Sequence, residues 1–379
     1  MTNRLTIAQG EFELNRLPKR SRELLRAWDA ADEYLLNTLG EELKLQDDAR
    51  ILIMNDSFGA LAVALSAYRP YALSDSYLSQ QATRLNLAAN NLPEHKVSLL
   101  NSLDVLEGLF DLVLIKVPKT LALLEDELIR LHPHLTASTR IIVASMIKTL
   151  PPSVWKLLER LVGPTTTSLA RKKARLIFAA PDAELLVPPN PYPVYYRLEN
   201  TEYLISNHAN VFSRDSLDIG TRFFLQHLPS RQDACDIIDL GCGNGLVGLI
   251  AAERSSAATI HFIDESFMAV ASARDNFHRA FGERREATFR IGDGLMEFES
   301  ESADLILCNP PFHQQNTVGV QIAVSLFKQS HRVLRKNGEL WVIGNRHLDY
   351  HSYLNRLFGA HSIVASNSKF VILKAALTG

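Results

Sequence analysis

A chain of 379 residues, 46% hydrophobic and 22% charged, with 18 glycines and 16 prolines, has the composition of an ordinary folded protein and excludes disorder, collagen and coiled coil. Forty basic residues against 42 acidic ones leave no global positive field, so a nucleic-acid partner has to be held by local patches. Three cysteines, Cys235, Cys242 and Cys308, show no Cys-x-x-Cys pair or zinc-ligand spacing, and no apolar run approaches the ~18 residues of a membrane helix, which together fit a reduced, cytoplasmic protein without a metal.

Strand patterns rich in Ile, Leu and Val alternate with longer helical ones along the whole chain, which predicts an α/β architecture of mostly parallel sheets flanked by helices. Arg16, Lys19, Arg20 and Arg22 form an early basic cluster. A strand then enters Asn55-Asp-Ser-Phe58 and reaches Gly59, a second spans residues 71–75, and a third ends in Lys116-Val-Pro-Lys119. Lys116, Lys119, Arg171, Lys172, Lys173 and Arg175 are candidate phosphate contacts, although a run of charge serves equally as a solvated face. Residues 181–193 hold five prolines in thirteen positions, which neither a helix nor a central strand tolerates. The linker between domains 1–190 and 191–379 is placed there.

Beyond that linker the same order returns. Residues 237–247 match 51–61 with Gly245 over Gly59, residues 260–264 match 71–75 with Asp264 over Asp75, and residues 303–311 match 110–118. Three matches in order predict duplication of a whole domain; the alternative is that any two α/β domains share apolar strands.

The second copy carries the chemistry. Its strand runs through Asp239 into Gly241, Gly243 and Gly245, with Asn244 between the last two, and a helical pattern follows. Glycines there let the backbone turn tightly and let a nucleotide-like ligand lie against bare amides at a helix N-terminus. The dinucleotide fingerprint fails from Gly241, where Leu246 takes the third position, but is met in the shifted register Gly243, Gly245, Gly248. A nicotinamide cofactor, or a turn with no ligand, therefore stays open. Asp264 closes the next strand, where a carboxylate accepts from ribose hydroxyls or caps a helix. Asp293 follows a third strand and could reach an adenine amino group, although Gly-Asp-Gly is also turn chemistry.

Asn309-Pro310-Pro311-Phe312 comes directly after an apolar strand. Two prolines remove two backbone donors and stiffen the segment, so the Asn309 and Pro310 carbonyls, the Asn309 side-chain oxygen and the flat face of Phe312 together suit a planar group bearing an NH2. His313 and Gln314 either read the edge of that group or sit in solvent.

The 239–245 loop, Asp264 and Asn309-Pro-Pro-Phe312 resemble the motifs of class I S-adenosylmethionine-dependent methyltransferases that modify exocyclic amines. With the duplicated domain, His208-Ala-Asn-Val-Phe-Ser-Arg214, Asp218-Ile-Gly-Thr221 and Asn345-Arg-His-Leu-Asp-Tyr350, the chain resembles the bacterial ribosomal RNA guanine-N2 methyltransferases over nearly its full length. The resemblance implies two tandem Rossmann-like methyltransferase domains, the first degenerate and reused to grip RNA. It implies S-adenosylmethionine as cofactor, held by Asp239, Gly241, Gly243, Asn244, Gly245, Asp264, Asp293 and Asn309. Catalysis falls to Asn309, Pro310 and Phe312, with Phe212, Arg214 and Thr221 lining the cofactor's other side. The implied reaction is methylation of one guanine N2 in 23S rRNA, free or in an early assembly particle, with a 16S guanine as the alternative substrate. Readings from other classes are a DNA-adenine or protein-glutamine methyltransferase, a nicotinamide-dependent oxidoreductase, and an RNA-binding protein without activity.

Overall fold

The computed structural model describes residues 3–18, 25–42, 46–310 and 317–377. Lys19, Arg20, Arg22, Pro311, Phe312, His313 and Gln314 lie outside the described residues. The chain divides into two compact units, Met1–Tyr192 and Pro193–Gly379.

The first unit opens with a hairpin of β1 (Arg4–Ile7) and β2 (Gly10–Glu13), then α1 (Ala30–Glu42). The remaining strands are β3 (Ile51–Met54), β4 (Tyr71–Ser74), β5 (Ser98–Asn101), β6 (Leu112–Lys116), β7 (Arg140–Met146), β8 (Thr165–Thr167) and β9 (Ala174–Ala179). Among them run α2 (Ala60–Ala64), α3 (Tyr77–Ala89), α4 (Leu121–Leu131) and α5 (Ser153–Leu161). They form one sheet in the order β5-β4-β3-β6-β7-β9-β8, parallel except where β9 meets β7 and β8. All four residues of β3 are buried, as a central parallel strand covered on both faces requires.

The second unit repeats this plan. A hairpin of β10 (Val194–Arg197) and β11 (Leu204–Asn207) precedes α6 (Ile219–His227). Then come β12 (Asp236–Leu240), α7 (Leu246–Arg254), β13 (Thr259–Asp264), α8 (Phe267–Phe281), β14 (Ala287–Ile291), β15 (Ala303–Cys308), α9 (Thr317–Val333), β16 (Leu334–Asn345), α10 (Tyr350–Phe358), β17 (Ser362–Ser366) and β18 (Phe370–Ala376). The sheet order is β14-β13-β12-β15-β16-β18-β17, the order of the first unit strand for strand.

The repeat extends to single atoms. Gly59 and Gly245 both head their helices in the left-handed region, at φ 79° and 77°. A Cβ on Gly59 would come within 2.8 Å of the Thr83 backbone, and one on Gly245 within 2.9 Å of the Ala273 backbone, so both copies need glycine for the helix after β3 or β12 to approach the next. Asn86 accepts from the Asn15 N–H and donates to the Asn15 and Phe58 carbonyls. Asn276 accepts from the Ser206 N–H and donates to the Ser206 and Asn244 carbonyls, the same clamp on the second loop.

One expected pairing is out of register. Leu52 faces Tyr71 across the first sheet, whereas Ile238 faces His261 in the second, which puts Tyr71 over His261 and Ser74, not Asp75, over Asp264. The caps agree: Ser76 N–H donates to Ser74 Oγ as Ser266 N–H donates to Asp264 Oδ1. The first unit therefore has no carboxylate at the place where Asp264 stands.

Candidate functional site

In the second unit β13 lies on one side of β12 and β15 on the other, so the crossover connections leave on opposite faces and a crevice opens beyond the carboxyl ends of these strands. Asp239, the glycine loop, Asp264, Asp293, Asn309 and Pro310 all fall at those ends of β12 to β15.

The loop's shape follows from its glycines. Gly241, Gly243 and Gly245 have φ of 71°, 53° and 77°, in the region that L side chains rarely enter. The N–H groups of Gly241 and Cys242 donate to the Ile263 carbonyl at 2.9 and 3.0 Å, pinning the turn to the end of β13. A Cβ on Gly241 or Gly243 would meet nothing within 4 Å, so these two positions line open space with bare backbone. Gly248 is different: its Cβ would collide with the Phe262 ring, and packing alone explains it. Close helix–strand packing is also what the last glycine of a dinucleotide fingerprint serves, so Gly248 does not separate the two cofactors.

Asp264 stands beside this cradle, with Oδ2 accepting from the Gly243 N–H at 3.0 Å and Oδ1 from Ser266 N–H. The cap of α8 is Ser266, which accepts from Ala269 N–H. Asp239 is buried and accepts from Gly248 N–H at 2.7 Å, and burial pushes its carboxyl up to about 8 against the opposing pull of that N–H. Asn244 donates to Asn207 Oδ1 at 2.9 Å and to the Tyr196 hydroxyl at 3.4 Å. Asp293 follows β14, half-buried, with burial raising its pKa. A cradle open at two glycines, with a carboxylate hydrogen-bonded to its edge, fits a ligand that lies on backbone and presents a diol.

At the neighbouring strand end, Asn309 Nδ2 donates to Thr221 Oγ1 at 3.1 Å, while Asn309 Oδ1 is buried with no partner among the described residues. Pro310 beside it is buried and has no N–H to give. A buried acceptor left unmatched costs about 1–3 kcal/mol, and this one lies at the carboxyl edge of the sheet that carries the glycine loop, where a ligand's donor can match it. Of the three residues expected to line the cofactor's other side, Thr221 is bound to Asn309, Arg214 pairs with Asp215 and the Ala209 carbonyl, and Phe212 is exposed.

The first unit carries other side chains at these positions, with Ser57, at the place of Gly243, exposed. Asn55, at the place of Gly241, takes φ 64° and donates to Glu127 Oε2 at 2.8 Å. Asp56 turns its carboxylate onto the N–H groups of Gly59, Ala60, Leu61 and Ala62, at 2.8 to 3.1 Å, occupying the helix N-terminus from within. Phe58, at the place of Asn244, lies under the Arg16 guanidinium 4.5 Å away. Lys116 stands where Asn309 does, its Nζ 2.6 Å from Asp32 and 2.9 Å from Asp29. Burial works against that ammonium, but the Asp32 and Asp29 carboxylates more than offset it and raise its pKa above the usual lysine value. Lys116 is therefore corrected from a phosphate contact to a core ion pair, because its charge is already matched and its side chain is only 14% exposed.

Glu127 gives this loop a pH dependence. Burial pushes its carboxyl up to about 8, only partly offset by the bond from Asn55, with Asp126 and Asp75 raising it further. The folded form holds the proton more tightly than the unfolded chain, so stability is full below the ordinary glutamate pKa and is lost as pH rises towards 8, by at most ~1.4 kcal/mol per pH unit for one group. Glu127→Gln, which keeps a donor-matched acceptor, should flatten the fall in melting temperature between pH 5 and 8; a slope equal to the wild type's would remove Glu127 as its source.

Strand order, an open glycine cradle and an adjacent acceptor segment define a Rossmann-like methyltransferase, duplicated, with its first copy degenerate. The RLMG N-terminal domain family matches residues 2–183, and the Methyltransferase small domain family matches residues 202–374. The chain is 52% identical to the ribosomal RNA large subunit methyltransferase G of Ectopseudomonas mendocina, over 96% of this chain and 97% of that one. It is 50% identical to the protein of the same name in Aeromonas salmonicida, over 99% of each. The T. thermophilus 16S rRNA N2 methyltransferase, solved with AdoMet and guanosine, shares the fold at a TM-score of 0.76 and 19% identity, over 98% of this chain and 97% of that one. The chain belongs to the ribosomal RNA large subunit methyltransferase G family.

Several contributors to the site escape sequence reasoning. Asn207 and Tyr196 hold Asn244, and Asn276 clamps the loop. The only local signal was the recurrence of Asn86 and Asn276 in matching helical stretches of the two halves. Among the described residues no helix is long and apolar enough to cross a membrane, and no group of His, Cys, Asp and Glu could hold a metal ion.

Proposed function

We propose that this protein methylates the exocyclic N2 of a specific guanine in 23S rRNA, using S-adenosylmethionine, and that the second unit does the chemistry. The observation that carries this reading is the buried, unpartnered Asn309 Oδ1 beside Pro310 at the end of β15, next to the open cradle at Gly241 and Gly243. Family membership supports the large-subunit substrate, since the curated relatives bear that name. In this proposal the cofactor is held by Asp239, Gly241, Gly243, Asn244, Asp264 and Asp293, with Gly245 shaping the turn by packing against α8, and when bound it supplies an electrophilic methyl.

The guanine N2 amine is a poor nucleophile because its lone pair is spread into the ring. Asn309 Oδ1 and the Pro310 carbonyl accept its two hydrogens, favour the pyramidal amine and free the lone pair. As positive charge grows on that nitrogen, the same fixed dipoles stabilise it. Once methylated, the nitrogen is acidic enough to lose its proton without a dedicated base. Orientation of this kind can remove about 7–11 kcal/mol of barrier. A base in a duplex must first leave its stack, at a few kcal/mol.

The first unit, with other side chains in its own cradle, serves in this reading to grip RNA. Arg171, Lys172 and Lys173 occupy a tight turn leading into β9, the two lysines at φ 48° and 63°, all three exposed. Lys172 keeps 75% of its side chain exposed even while it meets Glu33 at 2.7 Å. Lys119 is exposed as well, whereas Arg175 lies within β9 with its Nε buried. Changing Arg171, Lys172 and Lys173 together to Ala should weaken RNA binding and lower the salt slope by up to about 3, one for each phosphate no longer neutralised. Filter binding from 50 to 300 mM salt checks it, and a slope equal to the wild type's places the patch elsewhere. Cytoplasmic residence belongs to the same proposal.

Transfer of tritium from labelled S-adenosylmethionine to deproteinised 23S and 16S rRNA tests the function. Label in N2-methylguanosine from 23S alone supports it; label only in 16S, or in another nucleoside, replaces it.

A further inference from the structure

We infer that Thr221, set by Asp218, is a positioning residue that fixes which end of the Asn309 amide faces the substrate. This rests on the reading of Asn309 as acceptor for the guanine amine. An asparagine amide has a donor end and an acceptor end of nearly the same shape, and only its hydrogen-bond partners decide which way it points. For the amine to be received, Oδ1 must face the substrate; a flipped amide would present NH2 to NH2 and repel it.

The partners make that decision through a directional chain. Asp218 caps α6, its Oδ2 accepting from the Thr221 N–H at 2.8 Å and from the Thr221 hydroxyl at 3.4 Å. A carboxylate only accepts, so the hydroxyl proton is directed towards it and the Thr221 oxygen is left with lone pairs for its other neighbour. That neighbour is Asn309 Nδ2, which donates at 3.1 Å. With its donor end engaged, the amide leaves Oδ1 as the buried, unpartnered acceptor.

The first unit supplies an internal comparison. Asp29 precedes α1 as Asp218 precedes α6, and accepts from the N–H three residues on, that of Asp32. Asp32 thus stands at the place of Thr221, as Lys116 stands at that of Asn309, and the two join at 2.6 Å. The link between these positions is retained in both copies, and both of its ends differ together. Where the acceptor function is absent, so is the hydroxyl that would orient it.

The test compares Thr221→Val, which keeps the shape and loses the hydroxyl, with Thr221→Ser, which keeps the hydroxyl. Single-turnover transfer to 23S rRNA, S-adenosylhomocysteine affinity by calorimetry and the melting temperature are measured for each. Thr221→Val should lose about 10- to 100-fold in rate, the scale of a misplaced catalytic group, with S-adenosylhomocysteine affinity and melting temperature close to wild type, and Thr221→Ser should return to within about threefold of the wild-type rate. Three results would overturn the inference: a Val variant as fast as wild type, a Ser variant as slow as Val, or a parallel loss of S-adenosylhomocysteine affinity, which would make Thr221 a cofactor contact. Failure of the parent reading looks different, since wild-type enzyme would then leave guanine N2 unmodified whatever stands at 221.

Discussion

Asn309→Ala is expected to lower methyl transfer by at least 10²- to 10³-fold, about what removal of one preorganised polar group from a charge-stabilising site costs, while S-adenosylmethionine binds within a few-fold of its wild-type affinity. The substitution removes the buried Oδ1 that has no partner among the described residues and leaves the glycine loop and Asp264 untouched. It also frees Thr221 Oγ1, whose hydroxyl keeps Asp218, so the head of α6 stays capped. Rate and affinity therefore separate: single-turnover transfer falls, and calorimetric binding does not. An Asn309→Ala enzyme that transfers at the wild-type rate takes Asn309 out of the reaction.

The second large effect concerns the cradle and has the opposite signature. Gly243→Ala places a methyl group in open space, so the protein itself suffers only the strain of a non-glycine residue at φ 53°, about 1–2 kcal/mol. In the proposed site that methyl lies where bare backbone receives the cofactor, and S-adenosylmethionine affinity should drop by tenfold or more. Gly245→Ala is the control. Its Cβ would stand 2.7 Å from the Ala273 Cβ, which adds about 1–3 kcal/mol of overpacking to a similar backbone strain. Calorimetry and thermal melts should then show Gly243→Ala as a binding defect and Gly245→Ala as mainly a folding defect. Full affinity in Gly243→Ala would move the cofactor away from this turn.

The fold was open to reading because its signals are local. Fully apolar strands such as Ile51–Met54, glycines at the helix heads and the recurrence of three segments in order all lie within short windows of sequence. The register of the second repeat was not, since an apolar strand aligns almost equally well one residue either way, and only the sheet pairing and the Ser74 and Asp264 caps place Asp75 beyond the functional position. Lys116 misled for a different reason. Next to Lys119 it looks like surface charge, and its partners Asp29 and Asp32 are more than eighty residues away, a distance over which no periodicity speaks. The Thr221 link to Asn309 crosses 88 residues and was equally silent. In the first unit the absence of glycine at 55 and 57 was legible, while the way Asp56 occupies its own helix N-terminus depends on a side-chain direction that no sequence pattern sets.

Nuclease digestion and mass spectrometry of 23S and 16S rRNA, from cells with and without the protein, would show which guanine it methylates. One N2-methylguanosine of 23S rRNA should disappear with the protein and return with the wild-type gene but not with Asn309→Ala. An unchanged 23S pattern, or a lost mark in 16S rRNA instead, would contradict the proposed reaction.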